Sequence, residues 1–352
     1  MKRVERSGSA GGSADLMGLL TVVEKFAGKR VVLFGDFVAD EFQYGDITRV
    51  SREAPVLILR HRETQVVPGG GANAANNLAA LGARVMPVTA VGNDASGVAL
   101  IEYFREKGID DSGILRVKGW TTPTKSRYLA GFAHTVAQQV LRMDREPSEP
   151  LPEAARAKLA KSVATRVRRA DALAVSDYGF GVASPEAVRL SMRGKKGKIP
   201  ITLDSRFQLH GYAKAGVFSS TPNEAELEAQ HHTTIGKNLQ ELERCGRATL
   251  KAMRLEALLV TRGRDGMALF ARGGRTAHIA VHGSDQAVDV TGAGDTVLAA
   301  YTLALACGAT ALEAAHVANI AGGLVVMKRG TATISRDELL GAIRSQAAGA
   351  AS

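Results

Sequence analysis

The sequence has 352 residues, of which 45% are hydrophobic and 23% charged, a balance typical of a folded globular protein and not of a disordered one. Its two cysteines, Cys245 and Cys307, exclude a disulfide scaffold or a cysteine zinc cluster and suit the reducing cytoplasm. The net charge of +10 raises the question of nucleic acid, but the basic residues are spread out and only 5% of residues are aromatic. No nucleic-acid partner is therefore expected, and a cationic surface around an anionic small molecule accounts for the charge.

Apolar runs of strand length alternate with helical patterns along most of the chain. The predicted strands are residues 30–36, 84–91, 172–177, 200–204, 217–220 and 257–261, and the predicted helices are 72–81, 96–107, 152–169, 239–253, 294–306, 311–327 and 336–345. This alternation predicts one α/β domain over residues 15–346, with a mostly parallel sheet flanked by helices on both faces. Residues 1–14, rich in Gly and Ser, are expected to form a disordered tail, and residues 347–352 a frayed one. The longest apolar run has about half the length of a membrane span, so no membrane contact is expected.

Two segments, residues 41–67 and 124–145, interrupt this alternation of strands and helices, because they are strand-like and polar and contain no helical pattern. They are predicted to pair into a small antiparallel sheet over the carboxyl edge of the main sheet, where open α/β sheets bind ligands. A sheet in that place would act as a lid. Small sheets with open edges are marginal alone, so two copies are expected to form a homodimer through their lids.

The most specific motif is Asp289-Val-Thr-Gly-Ala-Gly-Asp-Thr296, which leads into an apolar helix. Gly292 and Gly294 permit a tight turn, and with Ala293 they present backbone N–H groups at a helix N-terminus, which predicts an anion hole. Asp295 follows in the first helical turn. A carboxylate there can accept the proton of a hydroxyl that attacks phosphorus. The alternative is that Asp295 only caps the helix.

A second motif, Pro68-Gly-Gly-Gly-Ala-Asn-Ala-Ala-Asn-Asn77, precedes a helix. Its glycines allow a ligand to approach the backbone closely, and Asn73 and Asn77 fall on one helix face, where amides suit sugar hydroxyls. The motif also fits G-x-G-x-x-A, which would indicate a nicotinamide oxidoreductase, although Pro68 stands where that fingerprint needs the end of a strand.

Three further residues carry chemistry. Asp36 ends the first predicted strand, where its carboxylate can accept two sugar hydroxyls or cap a turn. Asn223 and Glu226 are three residues apart at a helix start. An amide and a carboxylate at that spacing suit a hydrated Mg²⁺, and they also fit a capping box.

Together these motifs resemble the ribokinase/PfkB sugar-kinase family over about residues 22–343, with the NEAE at 223–226 similar to that family's NxxE. The resemblance implies a ribokinase-like fold, a β lid and ATP-dependent phosphorylation of a sugar hydroxyl. Segment 44–56, Gln138-Gln139-x-x-Arg142-x-Asp144 and Ser176-Asp-Tyr-Gly-Phe-Gly181 are similar to the kinase part of D-glycero-β-D-manno-heptose 7-phosphate kinases. Two departures from that pattern are Arg52, where proline is usual, and Asp204-Ser-Arg206, where Asp-Pro-Lys is usual.

The resemblance implies a role for each matching residue. Asp295 would be the catalytic base, beside the anion hole of Gly292, Ala293 and Gly294. Asp36, Gly70, Gly71, Asn73, Arg142 and Asp144 would hold the substrate. Asn223, Thr261, Gly263 and Asn319 would bind ATP, with Glu226 on Mg²⁺ through water, and Asp289 and Thr291 near a monovalent cation such as K⁺. The basic residues Arg49, Arg52, Lys125, Arg127 and Arg142 of the lid segments match a phosphate on the substrate.

The expected protein is thus an ATP-dependent kinase of D-glycero-β-D-manno-heptose 7-phosphate, acting at the 1-position. Three alternatives remain open at this point. They are a ribokinase- or fructokinase-like kinase of an unphosphorylated sugar, a sugar-binding regulator without catalysis, and the nicotinamide oxidoreductase.

Overall fold

The computed structural model describes residues 13–131, 137–283 and 286–351, with the backbone alone at 13–15 and 350–351. Its main sheet contains nine strands in the order β13-β12-β11-β10-β9-β8-β1-β4-β5. In chain order these are β1 (Arg30–Gly35), β4 (Arg84–Gly92), β5 (Ile114–Val117), β8 (Ala172–Asp177), β9 (Ile201–Ser205), β10 (Ser219–Ser220), β11 (Ala257–Thr261), β12 (Met267–Ala271) and β13 (Ala277–Ile279). All neighbours pair in parallel except β11 with β12 and β12 with β13, which confirms the mostly parallel sheet.

Helices cover both faces of this sheet. One face carries α1 (Ser13–Glu24), α2 (Gly71–Ala80), α3 (Ala95–Glu106), α8 (Ala293–Ala306), α9 (Ala311–Val325) and α10 (Arg336–Ala351), and the other carries α4 (Glu153–Val167), α5 (Pro185–Ser191), α6 (Glu224–His231) and α7 (Leu239–Met253). Strand β1 shows why the sheet lies in the middle. Val31 and Leu33 pack into one core and Val32 and Phe34 into the other, because successive side chains of a strand point to opposite faces.

The lid is a separate four-stranded sheet in the order β3-β2-β6-β7. It is built from β2 (Phe37–Val50), β3 (Leu57–Gly70), β6 (Thr124–Gly131) and β7 (Gln138–Arg145). The expectation of an antiparallel lid is wrong at its centre, because β2 and β6 run parallel. Each hairpin leaves the main sheet from the same edge, so their first strands point the same way, and only the pairings within each hairpin are antiparallel.

The ends of the chain differ from the expected tails. Helix α10 continues to Ala351, through most of the expected C-terminal tail, because alanine is the strongest helix former and α10 packs against α1. Helix α1 begins at Ser13, inside the last two residues of the expected N-terminal tail, and residues 1–12 lie outside the described residues. Within the described ranges, no helix is both long enough and apolar enough to span a membrane.

Candidate active site

Asp295 lies at the start of α8, at the carboxyl edge of the main sheet. Gly292 precedes the helix in the left-handed conformation, with φ 76°, and no side chain caps the helix N-terminus. A side chain at position 292 would collide with the amide of Asn73. The Ala293 N–H donates to the Val290 carbonyl oxygen at 3.2 Å. The Gly294 N–H and those that follow it in the first turn belong to an uncapped helix N-terminus, which favours an anion.

The Asp295 carboxylate is 4% exposed and has a donor on each oxygen. Asn73 Nδ2 donates to Oδ2 at 2.9 Å, and the Tyr178 hydroxyl donates to Oδ1 at 3.1 Å. Burial raises the pKa of Asp295 to about 7, against the effect of these two hydrogen bonds, while Asp40 raises it further and Lys125 lowers it. A carboxyl group with a pKa near neutrality is suited to general-base chemistry.

Asn73 is fully buried, and its amide is committed to the Asp295 motif. Its Nδ2 also lies 3.4 Å from the Gly292 carbonyl oxygen, and its Oδ1 accepts from Asn77 Nδ2 at 3.1 Å. Thr296 Oγ1 in turn donates to Asn77 Oδ1 at 2.9 Å. This chain of amides ties α2 to α8 and orients the Asp295 carboxylate, and the contact of Asn73 with sugar hydroxyls stays a prediction.

Asp36 is also fully buried, and its carboxylate faces the loop after β8. Oδ2 accepts from the backbone N–H groups of Tyr178 and Phe180, and Oδ1 accepts from that of Val182, at 2.8 to 3.1 Å. Burial, followed by the charge of Asp177, raises the pKa of Asp36 to about 7, against these three hydrogen bonds. Backbone N–H groups thus take three acceptor sites of this carboxylate, and its role in holding sugar hydroxyls stays a prediction.

We expect Asp36→Asn to destabilise the fold by about 1–3 kcal/mol for each backbone N–H left without an acceptor, because an amide nitrogen cannot accept. Urea unfolding measures this, with Asp46→Asn on the exposed lid as the matched control. Unchanged stability together with lost sugar affinity would instead support the predicted role of Asp36 in holding sugar hydroxyls.

The glycines before α2 bring the lid close to the main sheet. Gly70 has φ 55°, and a Cβ there would lie 3.2 Å from the Tyr178 ring. The Gly71 N–H donates to the Asp36 carbonyl oxygen at 2.9 Å. The strand that enters this turn is β3, a lid strand, so the G-x-G-x-x-A match does not sit in a parallel βαβ unit and the dinucleotide interpretation is wrong.

Asp40 is a site residue that sequence reasoning missed. It is 5% exposed, pairs with Arg127, and its charge acts on both Asp295 and Lys125. The available signal was its position four residues after Asp36 in an extended segment, a spacing that would place both side chains on one side of a continuous strand.

A charged cleft lies between the lid and the main sheet, next to Tyr178; it is called the basic cleft because four basic residues outnumber three acidic ones in its lining. Its charged lining residues are Lys125, Arg142, Asp144, Glu146, Glu149, Arg156 and Arg206. Arg142 Nε and Nη2 donate to the two oxygens of Asp144 at 2.8 and 2.6 Å, in the bidentate geometry typical of arginine and carboxylate. Burial, and then three neighbouring arginines, lower the pKa of Lys125 against the effect of Asp40. This cleft brings together Lys125, Arg142 and Arg206, but not Arg49 and Arg52, which lie at and beyond the far end of β2.

A second cleft, mostly apolar, lies on the other side of the α8 N-terminus. Thr261, Gly263 and Asn319 line it together with Ala293 and Gly294, so three of the four predicted ATP-binding residues share one cavity with the predicted anion hole. Asn319 also donates to the Ala280 carbonyl oxygen at 2.8 Å, which fixes the amide in the wall. Asn223 is not in the lining and reaches this region only through a backbone bridge to Thr261.

Asn223 and Glu226 form the capping box that the sequence left as an alternative. Asn223 Oδ1 accepts from the Glu226 N–H at 2.8 Å, and Glu226 Oε2 accepts from the Asn223 N–H at 2.9 Å. Burial, followed by the charges of Glu226 and Asp295, raises the pKa of Asp204 well above its usual range. Glu226 and Asp204 would suit a hydrated Mg²⁺, because that ion is held by one or two carboxylates and keeps several waters. Within the described ranges, no group of three or more His, Cys, Asp or Glu residues could hold a metal.

Asp289 holds the loop before the anion hole. Its Oδ1 accepts from the Thr291 N–H at 2.9 Å, and its Oδ2 accepts from the Gly330 N–H at 2.8 Å. The two residues predicted near a monovalent cation are therefore adjacent, and the carboxylate keeps further lone pairs for a cation.

An uncapped helix N-terminus next to a buried carboxylate and an apolar cleft is the arrangement expected of a phosphotransferase. Residues 29–338 match the pfkB family carbohydrate kinase, so the chain belongs to that family and is a sugar kinase. Among curated relatives, it is 38% identical over 317 residues to the bifunctional protein HldE of Geobacter metallireducens, covering 90% of this chain and 63% of that protein. It is 37% identical over 334 residues to the HldE of Paramagnetospirillum magneticum, covering 94% and 67%. The chain thus spans about two thirds of the length of these relatives.

Solved structures show the same fold at lower identity. The ribokinase of Arabidopsis thaliana, complexed with ribose and ATP, superposes with a TM-score of 0.68 at 21% identity over 90% of this chain and 99% of that chain. Phosphofructokinase-2 of Escherichia coli in complex with fructose-6-phosphate gives 0.69 at 18% identity over 90% and 99%. The same enzyme in complex with potassium gives 0.71 at 18% identity over 92% and 100%. These likenesses confirm the ribokinase-like fold.

Proposed function

We propose that this kinase transfers the γ-phosphate of ATP to a sugar that already carries a phosphate, and that the acceptor is D-glycero-β-D-manno-heptose 7-phosphate, phosphorylated at the 1-position. The observation that carries the proposal is the basic cleft, where Lys125, Arg142 and Arg206 lie beside the Tyr178 that contacts Asp295. Resemblance to the heptose 7-phosphate kinases and similarity to the HldE proteins support the identity of the sugar.

In the proposed reaction the acceptor hydroxyl lies against Asp295, with the substrate phosphate held in the basic cleft. Asp295 accepts the hydroxyl proton as the oxygen attacks the γ-phosphorus in line with the leaving ADP. The backbone N–H groups at the α8 N-terminus hold the oxygens of the transferring group, and positioning with electrostatics supplies most of the rate enhancement. Glu226, through water, and Asp204 would hold Mg²⁺, which would supply positive charge to the phosphates. Asp289 and Thr291 would hold K⁺. The proposed location of the reaction is the cytoplasm.

The departure at Asp204-Ser-Arg206 is consistent with this proposal. Arg206 keeps a cation where lysine is usual, and it lines the same cleft as Arg142. A guanidinium fork can bind two phosphate oxygens at once, so the substitution changes the geometry of phosphate binding but retains its charge.

One observation favours the second candidate, a kinase of an unphosphorylated sugar. Arg142 is paired with Asp144, and Arg127 with Asp40, so part of the positive charge near the site is neutralised by the protein itself. ADP release over a panel of free sugars and their terminal phosphates tests the two candidates. A higher kcat/KM for the phosphorylated members supports the proposal, and a higher kcat/KM for the free sugars supports the alternative.

We also propose a homodimer through the lid. Large apolar side chains of the lid segments are exposed to solvent; they are Val50, Val56, Leu57, Val140, Leu141 and Met143. Burying them between two lids would remove both the exposed apolar surface and the open edges.

Light scattering at micromolar concentration is expected to give the mass of a dimer, and Leu141→Glu is expected to reduce it to that of a monomer. Leu239→Glu, at an equally exposed position on α7, is the matched control and should leave the mass unchanged. A monomeric mass for the unmodified chain would contradict the lid interface.

A further inference from the structure

Tyr178 links three parts of the site that lie far apart in the sequence. Its hydroxyl donates to Asp295 Oδ1 at 3.1 Å, and the Lys125 ammonium of the lid lies 5.5 Å from the centre of its ring. Its backbone N–H donates to Asp36 Oδ2 at 2.8 Å. None of these contacts belongs to the backbone hydrogen bonding of a helix or a sheet, because Tyr178 comes directly after the last residue of β8.

The loop that carries Tyr178 is held from both sides. Gly179 and Gly181 both have φ 85°, and this alternation turns the N–H groups of residues 178, 180 and 182 toward the single carboxylate of Asp36. On the other side, Asp177 Oδ1 accepts from the Gly179 N–H at 3.0 Å. Asp177 Oδ2 accepts from the hydroxyls of Ser205 and Tyr212 at 3.1 and 3.0 Å. The tyrosine therefore projects from a loop whose backbone is fixed by two carboxylates.

We propose that Tyr178 is a positioning residue for Asp295, which sets both the orientation of the catalytic carboxylate and its affinity for the proton. Two donors on different oxygens fix the plane of the carboxylate, one from Asn73 on α2 and one from Tyr178 after β8. A carboxylate held in this way keeps a free lone pair on each oxygen for the acceptor hydroxyl. The inference rests on the proposed role of Asp295 as the base.

The charges that face Asp295 come from several elements. Asp40 of β2 raises its pKa and Lys125 of β6 lowers it, while Asp204 of β9 and Glu226 of α6 bring negative charge to Tyr178 and its surroundings. Against this negative background, a donated hydrogen bond from a neutral hydroxyl favours the ionised carboxylate. Loss of the Tyr178 hydroxyl should therefore shift the base toward its protonated, inactive form.

Tyr178→Phe tests the proposal because it removes the hydroxyl and keeps the ring under Lys125. We expect the acid limb of the kcat profile to move upward by about one pH unit, which corresponds to the loss of one hydrogen bond to a charged group. The active fraction of a base with a pKa near 7 then falls about fivefold at pH 7 and is largely restored at pH 9. The KM for ATP should change less than about twofold, because Tyr178 does not line the nucleotide cleft.

Tyr301→Phe is the matched control. The Tyr301 hydroxyl is also buried and forms one hydrogen bond, with Ser219, but it lies in the core although Tyr301 is on the same helix as Asp295. An acid limb that stays in place in Tyr178→Phe, or that moves equally in Tyr301→Phe, would overturn the inference. Tyr178→Leu, measured at the same pH values, should move the limb in the same direction and serves if the phenylalanine variant is poorly folded. Failure of the proposed function is distinguished by Asp295→Asn, because an active Asp295→Asn variant contradicts the base itself, whatever Tyr178 does.

Discussion

Asp295→Asn is expected to lower kcat at least ~10²-fold, the low end of a general base's contribution, while ATP binding and folding stay nearly intact. Asparagine has the size of aspartate and can still accept from Tyr178 or Asn73, but its amide cannot take the proton of the acceptor hydroxyl. ADP release gives kcat, and calorimetry gives the Kd for ATP. Asp337→Asn, at an exposed position on α10, is the matched control and should behave as the unmodified enzyme.

The pH dependence gives the same prediction a second readout. Because the pKa of Asp295 is raised to about 7, the base is protonated and inactive below that pH and active above it. The unmodified enzyme should therefore gain activity as the pH rises through about 7, and the residual activity of Asp295→Asn should lack this limb. Near-normal kcat in Asp295→Asn would contradict the assignment of the base.

Arg142→Ala is expected to lower kcat/KM for the phosphorylated sugar about 10- to 100-fold and to leave the free sugar within about twofold. One charge-assisted contact contributes about 1.5–3 kcal/mol, and each 1.4 kcal/mol is about a tenfold change. Arg142 is preferable to Lys125 for this test, because Lys125 also acts on the pKa of Asp295 and its removal would mix binding with chemistry.

Arg62→Ala provides the matched control, since Arg62 is a lid arginine that pairs with Asp46 outside the basic cleft. The comparison requires both sugars and both variants in the same ADP-release assay. If the free sugar is the better substrate of the unmodified enzyme, or if Arg142→Ala affects both sugars equally, the phosphosugar proposal is wrong and the ribokinase-like alternative becomes the better account.

The relation between sequence and structure differs from one site residue to the next. The motif from Asp289 to Thr296 predicts its own geometry, because one glycine before an apolar helix and another in its first turn favour a tight turn, and the predicted anion hole is made of backbone. Asn223 and Glu226 likewise adopt the local capping box that their spacing allows. For Asp36 and Asn73 the sequence indicated a polar group at the right edge of the sheet but not its partner, and both partners came from segments more than 100 residues away.

Local periodicity and contiguous motifs were enough to predict the α/β class, most strand and helix positions, the presence of a lid, and the family. The packing of the chain was needed to show that β2 and β6 pair in parallel, that Arg142 and Arg206 share a cleft, and that Asp40 and Tyr178 lie near Asp295. This is because hydrogen bonds and charges act over a few ångströms in space whatever the separation along the chain. Which donor meets which carboxylate is therefore fixed by how the lid and the helices pack on the sheet, and no local pattern of residues encodes it.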